Sequence, residues 1–147
     1  MMEAVLISIQ PKWVEKIANG EKTIEVRKTK PKLETPFKVY IYCTKGRGDC
    51  LWEWRGHIAY DTQFPNERPN RLDGKVIGEF ICDKTDFFFA EYCDNGSADL
   101  TPSRLIYGLG NANSELAYLD KCCLTHDELF DYIISGKYGF GWHITDL

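Results

Sequence analysis

The chain of 147 residues has no apolar run approaching the ~20 residues that a membrane-spanning helix needs. Membrane-spanning helices are thereby excluded, and no membrane partner is expected. Its opening, Met1 to Gln10, lacks a basic segment followed by a long apolar one, so it does not read as a secretory signal, and a cytoplasmic location is expected. Six cysteines stand at positions 43, 50, 82, 93, 122 and 123, but no two have the Cys-x-x-Cys spacing common in zinc and redox sites. Adjacent Cys122 and Cys123 do not readily point at one metal, so no metal site is expected. Without a secretory signal, a disulfide framework is not expected either. No Ser-His-Asp arrangement or phosphate-cradling glycine loop is present, and no cofactor is expected. Long strand–helix repeats are missing, which argues against a doubly wound sheet. Internal repeats and low-complexity segments are absent too.

What is present suits a compact core of large rings. Apolar residues make up 44% and aromatic ones 14%, with 8 Phe, 8 Tyr and 4 Trp. The length argues for one domain over residues 1–147. The net charge of −4 disfavours a general nucleic-acid binder, but the charge is unevenly placed. Residues 1–48 hold 10 Lys/Arg and 5 Asp/Glu, a net of +5, whereas residues 49–147 hold 8 and 17, a net of −9. A basic N-terminal part can face an anionic ligand while the acidic remainder keeps the chain dissolved.

Ala4 to Gln10 is rich in β-branched residues and reads as a mostly buried first strand. Pro11 suits a first helical turn. Trp13, Val14, Ile17 and Ala18 form an apolar stripe, so residues 11–18 read as a short helix stopped by Asn19-Gly20. A second strand covers Lys22 to Lys28. A loop over Thr29 to Pro36 follows, then a third strand over Phe37 to Lys45 with apolar groups on both faces, as in a barrel. Gly46 to Gly74 is irregular and longer than an ordinary connection, which suggests a lid or an insertion. Its Trp52 and Trp54 suit either a plug at the core edge or stacking on a base. Lys75 to Phe89 is strand-like, with Gly78 marking a bulge or a close approach. Asn95-Gly96 reads as a turn, and Ser103 to Gly110 as a short helical turn ended by Gly108 and Gly110. Thr125 to Ser135 is the best-signalled helix. Thr125 and Glu128 form a capping box, Leu124 and Leu129 a staple, and Gly136 a stop. Tyr138 to Leu147 closes the chain as a strand. The fold class expected is α+β, a small mixed β-barrel with two or three peripheral helices.

The stretch Gly20 to Lys28 concentrates the chemistry. Period-two alternation puts Ile24 and Val26 on one face and Thr23, Glu25 and Arg27 on the other. That polar face is either a solvated surface with a weak ion pair or the wall of a pocket.

Three segments bear on the choice: Ser8-Ile9-Gln10-Pro11-Lys12-Trp13, Gly20-Glu21-Lys22-Thr23-Ile24-Glu25-Val26-Arg27, and Gly141-Trp142-His143-Ile144. Together they resemble the ASCH domain (activating signal cointegrator homology) of the PUA-like superfamily, in particular its small bacterial and phage members. The resemblance covers residues 4–45 and 119–147, with Lys75 to Cys82 between. It implies a barrel with a cleft beside the first helix, lined by Lys22, Glu25 and Arg27. Relatives in the wider superfamily bind RNA or hold a modified base, often against an aromatic ring. On that implication Lys22 and Arg27 hold a phosphate or carbonyl oxygen, Glu25 accepts from an exocyclic amine, and Trp13 or Trp142 stacks on the base. Ser8 and Gln10 share a face beside the helix start and either contact ligand or cap the turn. Trp142 and His143 point to opposite faces, so one belongs to the core and the other to the pocket or surface.

One group of small ASCH proteins resembles an amidohydrolase that deacetylates 4-acetylcytidine, with a lysine and, three residues later, a threonine nucleophile. Lys22 matches the lysine, but Glu25 stands at the threonine position. Thr23 lies nearby, two residues before that position, and does not simply substitute. As a hydrolase the chain would use Glu25 as base on water and Lys22 to polarise the carbonyl. The readings are therefore a module for single-stranded RNA or a modified nucleoside or nucleotide, a small amidohydrolase of acylated nucleosides, or a module that meets a protein partner through residues 46–74.

Overall fold

The computed structural model describes residues 1–46, 50–61, 70–93, 101–107, 115–134 and 138–147. Its elements are β1 (Ala4–Ile9), α1 (Pro11–Ala18), β2 (Ile24–Arg27), β3 (Phe37–Cys43), β4 (Cys50–Trp54), β5 (His57–Asp61), β6 (Asn70–Arg71), β7 (Lys75–Cys93), β8 (Thr101–Tyr107), α2 (Glu115–Cys122), α3 (His126–Ile134) and β9 (Tyr138–Thr145). The main sheet is ordered β1-β3-β7-β9-β2, with β8 on β7. β1 and β3 run parallel, and the other neighbours are antiparallel. β7, 19 residues long, is the spine. Its first part pairs with β3 and its later part with β9 and β8.

The fold is α+β, as expected, but among the described residues the sheet does not close on itself. β1 and β2 stand at the two ends of its main path. The barrel is thus open along one seam, and α1 carries the chain from one edge to the other.

Two cores flank the sheet. On the inner side Ile7, Ile9, Phe37, Val39 and Phe80 pack with Val14 and Ile17 of α1. On the outer side Ile24, Val26 and Phe88 pack under Leu119 of α2 and Leu129, Phe130 and Ile133 of α3. Gly139 lets α3 and β7 close on β9, since a Cβ there would overlap the Phe88 ring and approach Ile133 to 2.9 Å. No helix among the described residues is long and apolar enough to cross a membrane.

Several sequence expectations are corrected here. β1 is an edge strand with one buried face: Ile7 and Ile9 are buried while Leu6 is 61% exposed. The 46–74 stretch is not merely loop. β4, β5 and β6 form a second sheet in the order β5-β4-β6. Arg55 and Gly56, with φ of 48° and 82°, provide the paired positive φ of a type I′ hairpin turn. Leu51 enters the inner core, and the Glu15 carboxylate of α1 accepts from the Tyr60 N–H of β5. Trp52 is buried and Trp54 is 38% exposed, so the two indoles form no exposed pair. At 103–107 a strand replaces the expected helical turn, because β7 outruns β3 and offers a free edge to β8. The register slips by one residue at Ile77, between Ile41↔Gly78 and Tyr42↔Val76, which is the bulge Gly78 signals. The Asn95-Gly96 turn and the stops at Gly108, Gly110 and Gly136 lie outside the described residues.

Candidate functional site

The site begins with the end of α1. Gly20 takes φ +82°, a conformation that glycine adopts without penalty. The Gly20 N–H then donates to the Ile17 carbonyl and the Lys22 N–H to the Lys16 carbonyl. The chain leaves the helix with the Lys22 side chain directed inward, where it is 3% exposed. Thr23 is pinned on both sides. Its N–H donates to the Lys121 carbonyl, and its carbonyl accepts from the Ile144 N–H. β2 therefore starts in a fixed register against β9, with Ile24 and Val26 packed beneath the helices. Glu25 and Arg27 face the other way.

That face looks into a cavity of about 330 Å³ at the open seam. Ser8 and Ile9 line it from β1, Gln10 and Trp13 from the start of α1, and Lys22, Glu25, Val26 and Arg27 from the other edge. Leu124, Glu128 and Tyr132 close it from the side of α3. Lys22 Nζ donates to the Cys122 carbonyl at 2.6 Å, which sets a cation on the C-terminal end of α2, where a helix dipole favours one. The same Nζ lies 3.6 Å from Glu25 Oε2 and 5.3 Å from the centre of the Trp13 ring. One guanidinium nitrogen of Arg27, Nη1, lies 3.5 Å from Glu25 Oε1 and donates to the Ser8 carbonyl at 3.1 Å. Arg27 thus clasps β1 to β2 where no ladder joins them.

Glu25 is 7% exposed. Burial pushes its carboxyl above the ordinary range, and the nearby Lys22 and Arg27 charges act against that rise without cancelling it. The Tyr132 phenol is also raised by burial. Burial lifts the Cys122 thiol, whose residue supplies the carbonyl to Lys22, to about 12, so it is not a nucleophile at neutral pH.

The fold matches the crystal structure of ASCH from Zymomonas mobilis with a TM-score of 0.55 at 15% identity, over 98% of this chain and 68% of that one. A tyrosine-to-phenylalanine variant of that protein gives 0.54 over 98% and 70%, and a serine-to-alanine variant 0.53 over 98% and 68%. The fold is ASCH-like. No family model and no curated protein sequence matches the chain. The superposition establishes the ASCH-like fold, and at 15% identity the chemistry is argued from the cavity itself.

Of the expected site residues, Ser8, Gln10, Trp13, Lys22, Glu25 and Arg27 meet at the cavity, and Trp142 and His143 are not among its lining. Trp142 is 5% exposed and packs edge-on against Phe37, with ring centres 5.5 Å apart. It stands opposite Glu25 in the ladder and shares its face, but its ring packs into the inner core rather than the cavity. His143 points to the opposite face and meets Asp86 at 2.5 Å.

Sequence reasoning missed Leu124, Glu128 and Tyr132. The spacing of four between Glu128 and Tyr132 carries the signal, since it aligns them along one side of α3, and Leu124 joins them from just before the helix. That row was masked by the stronger apolar stripe through Leu129, Phe130 and Ile133. Glu128 is fixed by the cap of α3: its N–H donates to Thr125 Oγ1 at 3.2 Å, and the same hydroxyl donates to Glu128 Oε1 at 3.2 Å. Val26 and Ile9 contribute to the lining from the seam edges, a consequence of the barrel's being open that no local pattern encodes.

Proposed function

We propose that this chain holds a nucleobase in the seam cavity, presented by single-stranded RNA or by a modified nucleoside or nucleotide. The observation that supports it most is the buried Glu25 carboxylate, set between Lys22 and Arg27 in the cavity wall. A carboxylate so placed accepts from an exocyclic amine, as carboxylates do from cytosine. Lys22 and Arg27 are donors to carbonyl or phosphate oxygens, and Trp13 offers a ring face beside them. The cavity of about 330 Å³ falls at the small end of the ~300–1,000 Å³ range for ligand pockets, which suits one nucleoside. The net of +5 over residues 1–48 favours an anionic ligand.

Calorimetric titration with nucleosides, nucleoside monophosphates and short single-stranded RNA tests the reading. Glu25→Gln replaces one acceptor by a donor and is expected to weaken binding of amino-bearing bases roughly tenfold, the loss of one good base contact. The reading fails if no ligand binds, or if Glu25→Gln and Arg27→Ala leave the affinity of every ligand unchanged.

A hydrolytic reading rests on the raised Glu25 carboxyl, since a carboxylate shifted toward neutrality suits a general base. Lys22, 3.6 Å away, would polarise the acyl carbonyl. No threonine is among the described residues that line the cavity, which favours holding over cutting. Incubation with 4-acetylcytidine decides it: cytidine release no greater than in a Lys22→Ala control removes hydrolysis of that substrate.

A further inference from the structure

The inner face of the main sheet continues past the cavity as a row of aromatic rings. Across the β2-β9-β7 register Arg27 stands opposite Phe140, and Phe140 opposite Phe87. One step further along, Tyr138 stands opposite Phe89. Alternate residues of a strand share a face, so these four rings lie on the same face as Glu25 and Arg27. They form one cluster around Phe87, whose ring centre is 5.6 Å from Tyr138, 5.5 Å from Phe140 and 6.1 Å from Phe89. Toward Trp142 this face is covered by core. Toward Phe87 it emerges, leaving Phe87 37% and Tyr138 51% exposed.

Two features say what would cover the row. It is continuous with the cavity, because Phe140 is the cross-strand neighbour of Arg27 and Phe87 lies two strand spacings away, ~10 Å. The chain leaving Arg27 is also basic, with Lys28, Lys30 and Lys32 all exposed and the Lys28 ammonium over the Tyr132 ring at the α3 side of the cavity. Rings next to cationic side chains are how proteins hold a single strand, since bases stack on the rings while the phosphates meet the charges, and Arg27 is the cation next to this row, across the ladder from Phe140. Asp86, the nearest acidic residue in sequence to Phe87, faces the other side of the sheet, where it meets His143 at 2.5 Å and Lys84 at 3.6 Å.

We propose that the Phe87–Phe140–Tyr138–Phe89 row is a stacking subsite for nucleotides flanking the base in the cavity. The ligand is then a single-stranded oligonucleotide of RNA rather than a free nucleoside. This rests on the cavity reading above and extends it.

The test compares two probes, a nucleoside monophosphate by calorimetry and a labelled RNA of about ten nucleotides, within the site sizes of single-strand binders, by fluorescence anisotropy. Phe87→Ala and Tyr138→Ala are expected to weaken the oligonucleotide roughly tenfold each and to leave the monophosphate unchanged. Phe87→Leu, which preserves apolar packing, is expected to behave like Phe87→Ala on the oligonucleotide. Arg27→Ala should weaken both probes. Unchanged oligonucleotide affinity in the ring variants, with Arg27→Ala still impaired, overturns the subsite and leaves the cavity standing. Affinity unchanged in all variants, or no binding by the unaltered protein, overturns both. Equal loss on both probes in the ring variants, Phe87→Leu included, overturns the subsite. So does sedimentation of the unaltered protein as a dimer that Tyr138→Ala splits, because the row is then a contact between copies.

Discussion

Replacing Lys22 by methionine probes the site through stability alone and needs no ligand. The Lys22 side chain is 3% exposed, lies 3.6 Å from Glu25 and donates to the Cys122 carbonyl at 2.6 Å. Lys22→Met keeps most of the volume and removes the charge. Breaking one side of a buried ion pair costs ~3–5 kcal/mol, because the partner charge is stranded. Arg27 remains 3.5 Å from Glu25, which places the expectation at the lower end, ~3 kcal/mol. For a chain of 147 residues that corresponds to a fall in Tm of roughly 6–12 °C. The cost should shrink in acid, where the stranded Glu25 takes a proton and no buried charge remains. It should also shrink in the double variant Lys22→Met/Glu25→Gln, which exchanges an ion pair for two neutral groups. Urea unfolding of the two single variants and the double variant measures the coupling. A Lys22→Met variant within ~0.5 kcal/mol of the parent, or losses that simply add in the double variant, would refute the buried pair and with it the electrostatic account of the cavity.

Three further outcomes follow from the same geometry. Burial raises the Glu25 carboxyl above its ordinary value of 4.5, so the folded chain binds that proton more tightly than the unfolded chain. The Glu25 contribution to stability is then full in acid and falls as pH rises from about 4.5 through the raised value. Glu25→Gln should abolish that slope, seen as a stability difference from the parent that grows toward neutrality in urea titrations. Gly139→Ala forces a methyl into the Phe88 ring and within 2.9 Å of Ile133, and the overpacking should cost ~2–3 kcal/mol by thermal or urea unfolding. Thr125→Ala removes the cap of α3 and should cost ~1 kcal/mol. It should also loosen Glu128, so ligand affinity falls more than in a Glu128→Gln control.

Much of the site was legible because its signals are local. Asn19-Gly20 marks where the chain must turn, and two-residue alternation separates Ile24 and Val26 from Glu25 and Arg27. The Thr125–Glu128 spacing announces a cap that the hydrogen bonds show. What was not legible depends on partners distant in sequence. β8 forms because β7 extends beyond β3. The irregular look of 50–61 hides a hairpin whose turn begins at Arg55, a residue that does not advertise positive φ. Trp142 is chemically suited to a base, yet Phe37 opposite it on the inner side settles its place in the core. Neither the helix α2 nor the open seam has a local cue. The apolar residues of α2 stand mostly in one run, Leu116 to Leu119, and set no helical period, and whether a barrel closes depends on both of its edges at once.

The seam between β1 and β2 has a consequence for how the molecule behaves in company. A free strand edge is a template on which other chains can add strands, and long exposed edges invite aggregation. Here Arg27 ties β2 to the Ser8 carbonyl of β1, and its guanidinium lies across the opening between these two strands. A strand adding at this seam would have to break that tie and displace a charged side chain, the kind of inward-pointing charge that discourages edge pairing.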